Sequence, residues 1–74
     1  MDLKAYLSPM SATEREAFAI RCGTTRGHLQ NVAYGKTCAP ALAVAIEFNS
    51  GGDVKRSELR PHDWRAIWPE YEAA

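Results

Sequence analysis

The side chains best suited to recognition chemistry in this sequence lie close together, between residues 25 and 34. Arg26, Gln30 and Asn31 each carry a planar head with paired hydrogen-bonding groups. An arginine can make two hydrogen bonds to the edge of guanine, and a glutamine or an asparagine can make two to adenine. We therefore expect Arg26 to suit guanine and either Gln30 or Asn31 to suit adenine, although a solvated helix face is the simpler alternative.

Groups that could perform catalysis or bind a metal do not accompany this cluster. His28 has no serine, cysteine or carboxylate partner at a useful spacing, so it fits a surface position or a base or phosphate contact better than catalysis. Cys22 and Cys38 are too few for a disulfide framework and lack zinc-ligand spacing. We expect Cys22 to be a core residue and Cys38, beside Pro40, to be reactive if it is exposed. No enzyme activity, cofactor or metal is expected.

The length and charge of the chain narrow the class of protein further. Its 74 residues suit one small domain, with 46% hydrophobic and 24% charged residues. Nine basic residues balance nine acidic ones, yet residues 17–46 contain three basic residues and no acid. Such a stretch suits a polyanionic partner, with chance as the alternative. We find no signal-peptide pattern and no apolar run of membrane-spanning length, so we expect a cytoplasmic protein with no membrane partner.

Periodicity and capping signals predict an all-α fold, a small bundle of about five short helices. Ser11 and Glu14 fit a capping box at the start of one helix, and Gly23 suits its end. Thr24 or Thr25 can cap the next helix, which Gly35 ends. The other helical segments are predicted at 2–8, from Pro40 to Asn49, at 56–59 and around 64–68. In the segment from Pro40, the residues Leu42, Ala45, Ile46 and Asn49 follow the helical spacing.

The two central helices have the spacing of a helix-turn-helix motif over residues 14–35. Small Ala19 lies four residues before Gly23, and Leu29 and Val32 follow as apolar contacts from the second helix. With those residues inward, the second helix presents an outward face made of Thr25, Arg26, Gly27, His28, Gln30, Asn31 and Tyr34. A helix of this kind fits the major groove, with its N-terminal residues nearest the bases.

Two parts of the chain resemble known DNA-binding proteins. Cys22-Gly23-Thr24-Thr25, Leu29 and the run from Val32 to Thr37 resemble the core of the Cro and repressor proteins of lambdoid phages. Residues 2–7, 14–18 and 59–70 resemble the YdaS-like (Cro-like) antitoxin and regulator family. The Gly-Thr-Thr turn and the Arg-Pro-x-Asp-Trp tail are the most specific parts of a resemblance that covers nearly the whole chain.

This resemblance implies a domain spanning 1–74 that binds operator DNA as a homodimer. By that pattern the base contacts are Thr25, Arg26, Gly27, Gln30 and Asn31, with His28 beside them. The phosphate contacts are Arg15, Thr24, Tyr34, Lys36 and Thr37. The family often has glutamine at positions 26 and 27 and basic residues at positions 38 and 41, so the operator sequence does not carry over.

The C-terminal segment 53–74 holds a second cluster, which is apolar. Trp64, Ile67 and Trp68 share a helical face, and Tyr71 follows. They can fold back on the first or fourth helix or form a contact with a dimer partner. Arg56, Arg60 and Arg65 are interleaved with acidic residues and are expected to form a solvated, salt-bridging surface. Two functions fit the whole pattern: a prophage Cro-type repressor, or an antitoxin that binds a toxin protein and regulates its own operon.

Overall fold

The computed structural model describes residues 1–71, and those residues form six helices and no strand. The helices are α1 (Leu3–Leu7), α2 (Ala12–Arg21), α3 (Arg26–Ala33), α4 (Pro40–Asn49), α5 (Arg56–Leu59) and α6 (Trp64–Ile67). The predicted all-α fold is confirmed. None of these helices is long and apolar enough to cross a membrane. The last three residues of the predicted 53–74 segment lie outside the described residues.

The described residues contain six helices where about five were expected, and the two short C-terminal ones lie at the predicted positions 56–59 and around 64–68. Arg60 ends α5 with φ of −133° and ψ of 67°, which is not a helical conformation. Pro61 follows it, and a proline disfavours the helical conformation of the residue before it. The chain therefore turns at Arg60 before Trp64 begins α6.

The helix termini lie where the capping signals predicted them. The Ser11 hydroxyl accepts from the Glu14 N–H at 3.1 Å, and the Glu14 carboxylate accepts from the Ser11 N–H at 2.9 Å. Of the two threonines considered, Thr25 caps α3, since its hydroxyl accepts from the His28 N–H at 3.1 Å. Pro40 is the first residue of α4, as expected for a residue without an N–H. Local hydrogen bonds therefore set the starts of α2 and α3, and the proline sets the start of α4.

The core forms where α2 packs against α3 and α4, and where α1 packs on α3. Phe18, Leu29, Ile46 and Val54 are among the largest fully buried side chains. The Phe18 ring also contacts the Tyr6 ring, with centroids 5.3 Å apart. In this packing, one side of α3 is buried and its opposite side stays exposed to solvent.

The side of α4 that packs on the core includes Ala43, which the helical spacing did not identify. Ala43 and Ile46 are fully buried, and the half-buried Leu42 and Ala45 pack against the core, as their spacing indicated. Glu47 is the only charged residue in this helix, so apolar residues lie on nearly every side of it. Because periodicity identifies a buried face by contrast with a polar one, this helix offered too little contrast.

The C-terminal aromatic residues fold back toward α4 and α5, which was one of the two arrangements considered. Trp68 packs against the core, and the Arg56 guanidinium lies 5.2 Å from its ring centroid and 4.4 Å from that of Tyr71. Glu47 accepts hydrogen bonds from both Arg56 and the Tyr71 hydroxyl. Burial raises the pKa of Glu47, but the hydrogen bonds from Tyr71 and Arg56 outweigh burial and hold that pKa below its ordinary value. Glu47 thereby ties the C-terminal segment to α4.

Arg56 and Arg60 form the expected ion pairs, with Glu47 and Asp63 respectively, but both are largely covered rather than solvated. The side chains of Arg56 and Arg60 are only 23% and 17% exposed. Arg60 donates two hydrogen bonds to Asp63 and one to the Cys38 carbonyl, which links the C-terminal segment to the loop before α4. Arg65 is exposed, as predicted, and lies 5.0 Å from the Trp64 ring centroid.

The thiols are expected to be unreactive in the folded protein. Cys38 is 1% exposed, so the exposure that would make it reactive is not present, and burial raises its pKa to about 11. Cys22 lies in the core as predicted, and burial also raises its pKa. Because the thiolate is the nucleophile, a thiol-specific disulfide reagent should modify neither residue at neutral pH. Both should react after unfolding in guanidinium chloride, and rapid modification of Cys38 in the native chain would contradict this prediction.

Candidate nucleic-acid interface

Helix α3 is buried on one side and exposed on the other. Leu29 and Val32 enter the core. The exposed side carries Arg26, Gly27, Gln30 and Asn31, with Thr25 and Tyr34 at its two ends and His28 half-buried beside it. The structure thus brings the predicted base-contacting residues onto or beside one solvent-facing surface. This surface contains no acidic residue from α3 itself.

The turn between α2 and α3 sets the angle at which α3 leaves the core. Gly23 has φ of +76°, a left-handed conformation that glycine adopts readily. Its N–H donates to the Ile20 carbonyl and the Thr24 N–H donates to the Ala19 carbonyl, each at 3.0 Å, which is the Schellman pattern of a helix C-terminus. Ala19 is fully buried where the two helices meet. Thr24, predicted to contact phosphate, is half-buried within this turn.

An acidic neighbour on α2 lies next to Arg26. The Arg26 Nε atom is 3.9 Å from a carboxylate oxygen of Glu16, and about half of each side chain is exposed. Exposed ion pairs of this type contribute about 0–1 kcal/mol. Such a pair holds Arg26 loosely, so the guanidinium can turn to a stronger partner. Glu16 could not be placed at the site from the sequence, because no helical spacing rule connects residues on two different helices.

A cleft of about 140 Å³ lies beside the contact between α1 and α3. Three basic side chains line it, those of Lys4, Arg15 and Arg26. Gln30 and Tyr34 line it from α3. The Lys4 ammonium lies 4.8 Å from the Tyr34 ring centroid, within the range of a cation–π contact. Lys4 could not be identified from the sequence, since only the packing of α1 on α3 brings residue 4 to residue 34. The cleft extends the basic surface of α3 onto α1.

Arg15 has a structural contact besides its predicted phosphate contact. Its Nε donates to the Leu7 carbonyl at 3.1 Å and its Nη2 donates to the Ser8 carbonyl at 3.3 Å. These carbonyls lie at the C-terminus of α1, where helix carbonyls lack partners within the helix. Arg15 therefore joins α2 to α1 while still bordering the basic cleft.

The remaining predicted phosphate contacts, Lys36 and Thr37, lie apart from this cleft. Both are exposed in the loop after α3, and both line a second cleft that Asp2 and Glu58 also border. Gly35 has φ of +113°, and the Lys36 N–H donates to the Asn31 carbonyl at 2.9 Å. The structure thus brings Arg15 and Tyr34 together and leaves Lys36 and Thr37 as a separate pair.

The predicted dimer or partner contacts of the C-terminal segment are all half-buried. The Trp64 and Tyr71 rings pack edge to face with centroids 5.8 Å apart, and Ile67 and Trp68 border the same region. Within residues 1–71, no group of three His, Cys, Asp or Glu side chains is placed to hold a metal ion.

Comparison of the chain with models of protein families and with curated proteins gave no match. The resemblance to Cro-type and YdaS-like proteins therefore stays a prediction from the residue pattern. What the structure adds is a helix-turn-helix arrangement of α2 and α3, with the polar side of α3 turned to solvent.

Proposed function

We propose that this protein is a sequence-specific DNA-binding transcriptional regulator that places α3 in the major groove. The proposal rests on the exposed side of α3. Arg26, Gln30 and Asn31 are exposed there, and α3 itself contains no acidic residue. The buried side of the same helix is held by Leu29 and Val32. A major groove accepts one helix of this kind.

The residues at the start of α3 are suited to reach base edges. Arg26 is its first residue, and Gly27 follows it with no atom within 4 Å of the position that a Cβ would occupy. Packing within the chain therefore does not require glycine at position 27. The missing side chain instead allows a close approach of the helix to DNA, while Arg26 and Asn31 provide paired hydrogen bonds.

Phosphate contacts on either side would hold α3 in register. Tyr34, with Lys4 against its ring, and Arg15 border the cleft beside α1, while Lys36 and Thr37 lie in the loop that follows α3. Contacts to phosphate position a protein on DNA, whereas contacts to bases select the sequence. We place Lys4 in this positioning group together with the five residues identified from the sequence.

The biological role that fits best is that of a prophage Cro-type repressor in the cytoplasm of a bacterial cell. A homodimer bound to an operator that overlaps a promoter would block transcription sterically and would need no cofactor. The antitoxin alternative predicts that Trp64 and Trp68 form an exposed surface for a toxin. Both are half-buried beside Arg56, Arg65 and Tyr71, so the structure lends that alternative less support.

The test is a fluorescence-anisotropy titration of the wild-type chain at several salt concentrations. One probe is the DNA upstream of its own gene, and the other is scrambled DNA of equal length. We expect saturable binding to the upstream DNA that is ~10³-fold tighter than to scrambled DNA, with two protomers per site. Equal, weak binding to both probes that disappears with added salt would overturn sequence-specific regulation.

Replacing Lys36 with alanine should weaken binding to every DNA sequence by a similar factor. The reason is that phosphate contacts release counterions without reading bases, so the salt slope should fall by about 1. Lys55→Ala serves as the matched control, since Lys55 lies at the start of α5 and donates to the Gly52 carbonyl. A Lys36→Ala protein with unchanged affinity and salt slope would remove Lys36 from the interface.

A further inference from the structure

The outward side of α4 is apolar, with Ala41 and Phe48 exposed and Val44 and Ala45 half-buried. Ala41, Val44, Ala45 and Phe48 share this side, since they follow the helical spacing of three, four and seven residues. Phe48 is 82% exposed, more than the other large apolar side chains exposed among residues 1–71. We refer to these four residues as the α4 face. We propose, on the basis of the DNA-binding function proposed above, that two copies of this chain pair through the α4 face when they occupy neighbouring half-sites.

The other sides of α4 already have partners within the chain. Ala43 and Ile46 are in the core. On one flank, the Asn49 amide donates to the Arg21 carbonyl of α2 at 3.4 Å. On the other flank, Glu47 is hydrogen-bonded to Arg56 and Tyr71, which draws the C-terminal aromatic residues to that flank rather than over Phe48. Ala45, at the edge of the α4 face, packs partly against the core, whereas Ala41 and Phe48 are exposed.

The charge and shape of the α4 face fit a second copy of itself. The face contains no charged side chain, so two copies can meet without repulsion between like charges. In a two-fold pair, the same surface is used by both copies. An antiparallel pairing of two α4 helices about a centre between Val44 and Ala45 sets the large Phe48 of each copy over the small Ala41 of the other. The seven-residue separation of Ala41 and Phe48 makes the face self-complementary in that orientation.

The area of the α4 face indicates a weak pair. A fully buried Phe side chain contributes about 150–250 Å², and the three smaller side chains add less than that together. A stable interface buries roughly 800 Å² on each partner. At low protein concentration the pair therefore depends on DNA, because binding to adjacent half-sites greatly raises the effective concentration of one copy near the other.

The α4 face leaves the proposed DNA-binding helix free. Helix α3 packs on α1 and α2, whereas α4 packs on α2 and α5. Pairing through α4 therefore covers neither Arg26 nor Asn31. The half-buried residues Trp64, Ile67, Trp68 and Tyr71, predicted from the sequence as an alternative contact, are not required in this pairing.

Two variants that each add one cysteine test this pairing by mild oxidation of the full chain at millimolar concentration, with and without upstream DNA. Val44→Cys lies next to the centre of the proposed pair, and Ala66→Cys is the control on exposed α6. Cys22 and Cys38 are buried and present in both variants. We expect a disulfide-linked dimer from Val44→Cys, formed faster with DNA, and little from Ala66→Cys. Equal crosslinking of both variants, or preferential crosslinking of Ala66→Cys, would overturn the proposal.

A second pair of variants tests the energetic role of Phe48. Phe48→Ser should lower the self-association constant, measured by sedimentation at high concentration without DNA, by at least tenfold. Ile20→Ser removes another exposed apolar side chain, 66% exposed on α2, and should leave that constant unchanged. If the wild-type chain stays monomeric at every concentration and binds DNA without cooperativity, the pairing is absent. Self-association through Phe48 without specific DNA binding would instead contradict only the proposed function.

Discussion

Truncating Phe18 to alanine is expected to lower the free energy of unfolding by about 3–5 kcal/mol. Phe18 has no exposed surface, and its ring contacts the Tyr6 ring and the Arg21 guanidinium. It lies on α2, where α2 meets the other core helices. Because a chain of this length has a total stability of roughly 4–11 kcal/mol, Phe18→Ala should leave the protein marginally folded or unfolded. Urea denaturation followed by circular dichroism measures the effect.

The same chain offers a matched control for this experiment. Phe48→Ala removes an identical side chain from a position that is 82% exposed. Surface substitutions of this kind change stability by about 0.5 kcal/mol or less. If Phe18→Ala and Phe48→Ala destabilised the monomer equally, the buried position assigned to Phe18 would be wrong.

Replacing Arg26 with alanine is expected to weaken binding to the operator by roughly 5–150-fold, which corresponds to about 1–3 kcal/mol for one bidentate base contact. The preference at one base position should relax at the same time, because the other base contacts remain. Arg26 is half exposed, and its contact within the chain is the distant ion pair with Glu16, so the substitution should leave the fold intact. Competition binding with a set of single-base operator variants reads out both effects.

Arg65→Ala provides the control for loss of a positive charge. Arg65 is exposed on α6 and contacts the Trp64 ring, outside the basic surface of α3. We expect Arg65→Ala to retain operator affinity and base preference. An Arg26→Ala protein that matched wild type in both measurements would show that α3 does not read bases through its first residue, and the assignment of the recognition helix would fail.

The amino-acid sequence by itself determined the helix boundaries and the framework of the motif. The Ser11–Glu14 capping box, the Gly23 turn and the Pro40 start each depend on hydrogen bonds or backbone conformations within a few residues. The burial of Ala19 and Leu29 also followed from spacing, because two short helices joined by a tight turn bring few positions into contact. Local interactions were therefore sufficient to predict an all-α fold and the exposed side of α3.

Only the tertiary structure determines which residues from other helices lie beside the helix-turn-helix motif. The contact of Lys4 with Tyr34 and the hydrogen bond from Arg60 to the Cys38 carbonyl join residues more than 20 positions apart. No periodic pattern describes such pairs, since they depend on how separate helices pack. The same is true of α4, where apolar residues on almost every side left the burial of Ala43 and the exposure of Phe48 to be set by the positions of α2, α5 and the C-terminal segment.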